Sequence, residues 1–172
     1  IKCRMAGLAP DAVVLVATIR ALKYNGGVAK ENLSTPDMEA LEAGFANLEA
    51  HIEGLQQYGV PIVVTLNSFV TDSEEEIDYV EKRCRAMGCS FALSEVWAKG
   101  GEGGVALAEE LLETMKEKKT QYHPLYPDDM PLEKKIETIA KKIYGADGVT
   151  YAAGVRTKLK KLTEQGYGQC PV

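Results

Sequence analysis

Two short runs of mostly β-branched residues, Ala12–Ala17 (AVVLVA) and Pro61–Leu66 (PIVVTL), constrain this chain more than anything else in it. Neither alternates apolar with polar residues, so neither suits a strand wetted on one face. Continuous runs of this length suit strands covered on both faces, as in a parallel sheet. A third run, Ser90–Val96 (SFALSEV), is read as a strand as well. Parallel neighbours need long crossovers, usually helical, and the segments between these runs have helical texture. From Thr35 to Gly59, apolar residues recur at Met38, Leu41, Phe45, Leu48, Ile52 and Leu55, one stripe at steps of three and four. Thr35 offers a cap, Pro36 suits the first helical position and Gly59 the stop. Ser73 and Glu76 form a capping box for a second helix through Ile77, Val80, Cys84 and Met87, ending at Gly88. A third follows Gly104, with Val105, Ala108, Leu111, Leu112 and Met115 in phase. Strand and helix alternating three times predict an α/β fold, a parallel sheet with right-handed helical crossovers.

The texture changes after Lys119. Gln121–Pro131 holds three prolines and two tyrosines, and helical patterns follow near Leu132–Tyr144 and Gly154–Gln165. The expected organisation is therefore an α/β segment over residues 1–120 and a small helical C-terminal segment over 121–172. The chain opens without Met, a few residues before a strand. It stops at Gly166-Tyr-Gly-Gln-Cys-Pro-Val without a usual domain end. Both features read as marks of a piece of a longer protein.

Composition narrows the partners. With 25 acidic and 20 basic residues the net charge is -5, so no basic face for nucleic acid is expected. No run is apolar for long enough to span a bilayer, and Ile1-Lys2-Cys3-Arg4 does not begin a signal peptide. A cytoplasmic protein without membrane partners is the simplest expectation. Cys3, Cys84, Cys89 and Cys170 form no C-x-x-C pair and lie far in sequence from His51 and His123, which argues against a zinc site. Cys84 falls on the apolar stripe of its helix and reads as a buried residue.

In open parallel sheets ligands bind beyond the carboxyl ends of the strands. Three loops occupy that place: Thr18–Lys30, Asn67–Ser73 and Trp97–Gly104. The first holds Arg20, Lys23, Gly26-Gly27 and Lys30, which suit either an anion held by backbone N–H groups or a plain connection with solvated charges. The second, Asn67-Ser-Phe-Val-Thr-Asp72, has side chains that can read a ring edge, though Asn, Ser, Thr and Asp also favour turns and caps. Phe69, in the middle of that polar turn, either tucks under the helix or faces a ligand. The third places four glycines within five residues beside the only Trp. Glycine is entropically costly to order, so a plain connector has little use for four. Gly101, Gly103 and Ala106 satisfy G-x-G-x-x-A, but they come too late after the strand, and no further strand follows to supply the acidic residue of a dinucleotide site.

Phe69 and Trp97 fit together geometrically. Adjacent strands lie ~4.8 Å apart, and a flat ring between two aromatics needs them ~7 Å apart. Loops from neighbouring strands can span that gap. The alternative is that Trp97 points into the core.

The segments KCRMAGLAPDAVVLVATIRALKYNGG, GVPIVVTLNSFVTDSEEE, LSEVWAKGGEGG and KIYGADGV, in this order, resemble consecutive parts of formate–tetrahydrofolate ligases of the bacterial single-function type. The resemblance runs from Lys2 to the end, and its tryptophan–glycine loop is the most specific part. It implies half of a P-loop NTPase-like sheet and an enzyme that joins formate to tetrahydrofolate with ATP through formyl phosphate, giving 10-formyltetrahydrofolate. It implies Mg2+ with the ATP, allows a monovalent cation, and points to a homotetramer. Phe69 and Trp97 match the positions that stack on pterin or adenine, and Asn67, Ser68, Thr71, Asp72, Glu95, Lys99, Gly100 and Gly101 match the lining of that pocket.

The family's phosphate loop, G-x-x-x-x-G-K-[ST], does not occur in these residues. The resemblance therefore assigns them no catalytic group and no metal ligand, and the stretch alone is expected to be inactive. Two other readings remain at this point: a different nucleotide-binding α/β enzyme, or a non-catalytic assembly piece.

Overall fold

The computed structural model describes residues 1–172. Its elements run α1 (Lys2–Met5), β1 (Val13–Ala17), α2 (Ile19–Asn25), α3 (Met38–Gln56), β2 (Ile62–Asn67), α4 (Glu74–Ala86), β3 (Ser90–Ser94), α5 (Val96–Lys99), α6 (Val105–Glu117), α7 (Leu132–Tyr144) and α8 (Val155–Glu164). Short 3-10 turns occupy Lys30–Asn32, Gly100–Gly104 and Tyr167–Gln169. The chain divides into two compact units, Pro10–Gln121 and a second made of Ile1–Ala9 with Tyr122–Val172.

The first unit is the α/β fold. Its sheet has three parallel strands in the order β1-β2-β3. Side chains at registered positions of parallel strands point to the same face. Leu15, Val64 and Phe91 share one face, as do Ala17, Leu66 and Leu93. That face packs with Leu41, Phe45, Leu48 and Ile52 of α3 and Val80 and Cys84 of α4 into the main core. Val63 and Thr65 point the other way, level with Ser90 and Ala92. On that side Thr114 of α6 donates to the Ser90 hydroxyl at 2.7 Å.

β2 is buried from Ile62 to Leu66, as its apolar run requires. β1 differs from the expectation of two covered faces, for Val14 and Val16 are 37% and 61% exposed. The reason is position, because β1 is an edge strand and α6 lies over β3 and β2. The stripe assigned to α6 is also shifted in phase. Val105 and Leu112 are exposed, while Thr114 is buried.

The helix after β1 was not expected. Thr18 caps it through Ala21 N–H at 3.1 Å, and Ile19 and Leu22 bury one side. The cap of α3 is Asp37 rather than Thr35, its carboxylate accepting from Ala40 N–H at 2.9 Å. Thr35 instead lends its carbonyl to the Lys23 ammonium, also at 2.9 Å. The Ser73–Glu76 capping box of α4 forms as its spacing demands.

In the second unit α7 covers the span its pattern predicts and α8 falls within one residue of it at each end. The side chain of Lys135 is fully buried without a carboxylate partner, and its ammonium donates to the carbonyls of Asp128, Gly168 and Cys170 at 2.7 to 3.0 Å. The Tyr126 hydroxyl donates to Val172 O at 2.6 Å and accepts from Val172 N–H at 2.9 Å. No helix of the chain is long and apolar enough to cross a membrane.

Candidate functional site

The sheet register sets the site. Ala17 is level with Leu66, and Leu66 with Leu93, so all three strands end at one edge. The segments led by Thr18, Ser68 and Glu95 leave that edge side by side, as ligand-binding loops of parallel sheets do.

The middle segment is a tight turn. Asn67 is the last residue of β2, registered with Ser94, and Ser68 N–H extends the ladder to Ser94 O at 2.9 Å. Asp72 N–H donates to Phe69 O, and Phe69 N–H donates back to Asp72 Oδ2, both at 2.9 Å. The turn therefore fixes the Phe69 backbone while the ring stays half-buried. The second carboxylate oxygen of Asp72 is buried without a partner. Burial raises the Asp72 pKa above the usual carboxylate value, against the opposing Phe69 N–H bond, with further raising by Glu76.

The third segment folds back on itself. Glu95 N–H donates to Gly103 O at 3.0 Å and closes the neck. Inside lies α5, braced by Lys99 and Glu95 at 2.7 Å. α5 takes over where the sequence pattern had continued the strand to Val96. Trp97 sits on α5 and is 77% exposed, so the core alternative for Trp97 is wrong. Two of the four glycines have steric reasons. Gly100 has φ +60 and ψ -141, a conformation open essentially to glycine. A Cβ on Gly103 would lie 2.4 Å from the Glu95 carbonyl carbon. Gly101 has open space around it, and Gly100 and Gly101 are both exposed.

The first segment is not the anion cradle its glycines and cations allow. A Cβ on Gly26 would stand 1.9 Å from Ala40 O, so Gly26 serves the close crossing of α2 and α3. Lys23 is fully buried in an ion pair with Glu76 at 2.9 Å. Lys30 lies toward the Tyr24 ring. A cavity of about 700 Å³ beside Gly26 and Gly27 is walled by Asp37 and Glu39, with no Lys or Arg. Arg20 turns to the site instead. Its guanidinium lies 4.4 Å from the Phe69 ring centroid and donates to Thr71 Oγ1 at 3.2 Å.

Lys23, Glu76 and Arg20 are what sequence reasoning missed or misread. Glu76 accepts from Lys23, from Asp37 N–H at 3.1 Å, and from Ser73 N–H and Oγ at 3.0 and 2.9 Å. Its burial would raise the pKa, but the Lys23 bond and the Ser73 and Asp37 donors prevail and lower it. This network joins α2 to the start of α4, one residue beyond the Phe69 turn. The available signal was an i, i+3 pair of cations, Arg20 and Lys23, in a segment whose neighbours at Ile19 and Leu22 are apolar.

The Phe69 and Trp97 rings make no contact with each other. They leave adjacent strands at the same level, with Phe69 on the central strand, Arg20 on its β1 side and Trp97 on its β3 side.

Loops gathered at the carboxyl edge of a parallel sheet, with a fixed aromatic and an exposed one on neighbouring strands, define an α/β protein with its candidate site at that edge. The chain belongs to the formate–tetrahydrofolate ligase family, whose model, described as Formate--tetrahydrofolate ligase, matches residues 1–172. Its members are ligases of one-carbon metabolism that act on formate and tetrahydrofolate.

Proposed function

We propose that this chain supplies the face on which flat rings, the pterin of tetrahydrofolate or the adenine of ATP, are held during ATP-dependent ligation of formate. The observation that carries the reading is the family match over the whole chain, coupled to Phe69 and Trp97 leaving paired strands at one edge. Trp97, largely exposed, gains a ring to cover it. In this reading Asn67, Ser68, Thr71 and Asp72 line the pocket beside Phe69, and the buried, unpartnered Asp72 oxygen would take an exocyclic amine or ribose hydroxyl only once the turn opens toward the ligand. Glu95, Lys99, Gly100 and Gly101 shape the wall around Trp97.

In the proposed reaction a formate oxygen attacks the γ-phosphorus of ATP, and ADP leaves. The N10 amine of tetrahydrofolate then attacks the carbon of formyl phosphate. Inorganic phosphate leaves and N10 loses its proton, giving 10-formyltetrahydrofolate. Phosphoryl transfer depends mainly on positioning and charge neutralisation, and Mg2+ enters with the β- and γ-phosphates. No step is assigned to a metal or monovalent cation site among these residues. The part given to these residues is ring binding, and none is assigned as catalytic. The expected assembly is a homotetramer, which light scattering would test.

The test is a calorimetric titration with tetrahydrofolate and with ADP. Trp97→Ala and Phe69→Leu are each expected to weaken binding about 5- to 150-fold, the equivalent of ~1–3 kcal/mol for a stacked ring. Unchanged affinity in both variants would remove the ring reading. Formate-dependent ADP release by the 172-residue chain alone would overturn the restriction to ring binding.

A further inference from the structure

We infer that Arg20 is a positioning residue for Phe69, closing one face of its ring so that a bound ring stacks on the other face, toward β3. The inference rests on the ring-binding reading above and assigns a role to a residue outside it. Three observations meet. The guanidinium lies over the Phe69 ring, 4.4 Å from its centroid. It is held there by Thr71 Oγ1, a residue of the same turn. The strand order puts α2, which bears Arg20, on the opposite flank of the Phe69 turn from Trp97.

The ring contact is not a by-product of an ion pair. Arg20 Nε and the free Asp72 oxygen are both buried and both without a partner, so they do not bond each other. The guanidinium lies over the aromatic instead, 4.4 Å from its centroid, a contact Arg makes more often than Lys. The Lys23–Glu76 pair, one helical turn along, locks α2 to α4 and keeps Arg20 in register with the turn.

Two consequences follow for a ligand. One face of Phe69 is closed, which leaves a single stacking geometry. The positive charge behind the ring also makes the open face less negative, which favours an electron-rich heteroaromatic ring over a cation.

The experiment is a double-mutant cycle on the 172-residue chain, titrated with tetrahydrofolate and with ADP and read by Trp97 fluorescence and calorimetry. Arg20→Gln is expected to raise Kd about 2- to 5-fold, the scale of a cation–π contact. Arg20→Lys should recover part of the loss, and circular dichroism should not change. In the Phe69→Leu background Arg20→Gln should add nothing, because its partner is gone. An unchanged Kd in Arg20→Gln, or an equal loss in both backgrounds, overturns the inference and leaves the ring reading standing. A wild-type chain that binds neither probe, or a Phe69→Leu chain that binds both as wild type does, overturns the ring reading and the inference with it.

Discussion

Glu76 has both carboxylate oxygens occupied by donors from three segments while being fully buried. Removing one partner of a buried ion pair costs roughly 3–5 kcal/mol, because the other charge is left without compensation. Lys23→Met is expected to destabilise on that scale in urea denaturation. Adding Glu76→Leu should recover only part, since Asp37 and Ser73 N–H would still lack an acceptor. The pH dependence has a definite sign. Glu76 has a folded pKa below its ordinary value of 4.5, so its contribution is present above that value and fades as pH falls through the folded pKa. Asp72 is opposite. Its pKa is raised above 3.8, so the ionised form costs stability once pH climbs through the folded pKa. Asp72→Asn keeps an acceptor for Phe69 N–H and removes the charge. It is expected to raise the melting temperature at pH 7 more than at pH 4, and to weaken ligand binding, in a thermal melt paired with a titration. The Ser73–Glu76 box could be read from the sequence because it is local. The Lys23 partner could not, because a lysine in a loop-like segment shows no sign of the acid that folding brings to it.

At the scale of elements, close approach explains most of the glycines that matter. A Cβ on Gly44 would meet Leu22 O at 1.8 Å, the counterpart of the Gly26 contact with Ala40. Gly44→Ala should therefore push α2 off α3 and carry Arg20 with it, giving a lower melting temperature and weaker ligand binding. Gly103→Ala should open the neck of the Trp97 loop, while Gly101→Ala should be nearly silent, and quenching of Trp97 by acrylamide would separate the two. The helices with long apolar stripes, α3 and α4, were legible because periodicity over three or more turns is hard to mimic. α2 and α5 were not. A seven-residue helix and a four-residue one offer too few turns for a stripe, and their caps look like ordinary loop residues. α6 showed its existence but not its phase, because its buried face includes Thr114 bonded to Ser90 rather than apolar residues alone.

For the molecule as a whole, the order of strands and helices predicted the parallel sheet, since few other arrangements satisfy continuous apolar strands joined by crossovers. The placement of Ile1–Ala9 with Tyr122–Val172 could not be read, because it depends on contacts between the two ends of the chain, such as the Arg4–Asp128 ion pair. Within that unit the last residues hang on Lys135 and Tyr126. Lys135→Met would leave three carbonyls without their donor, and hydrogen exchange over residues 166–172 should rise sharply while exchange in β2 stays slow. In the other unit, Cys84 and Cys89 are buried where α4 hands over to β3, and burial pushes the Cys84 thiol up to about 12. Cys3 and Cys170 are exposed. A thiol-alkylating reagent will thus modify two sites at once and the other two only when the α4–β3 junction opens. The chain contains its own stopwatch for the opening of the layer that holds up the carboxyl edge of the sheet.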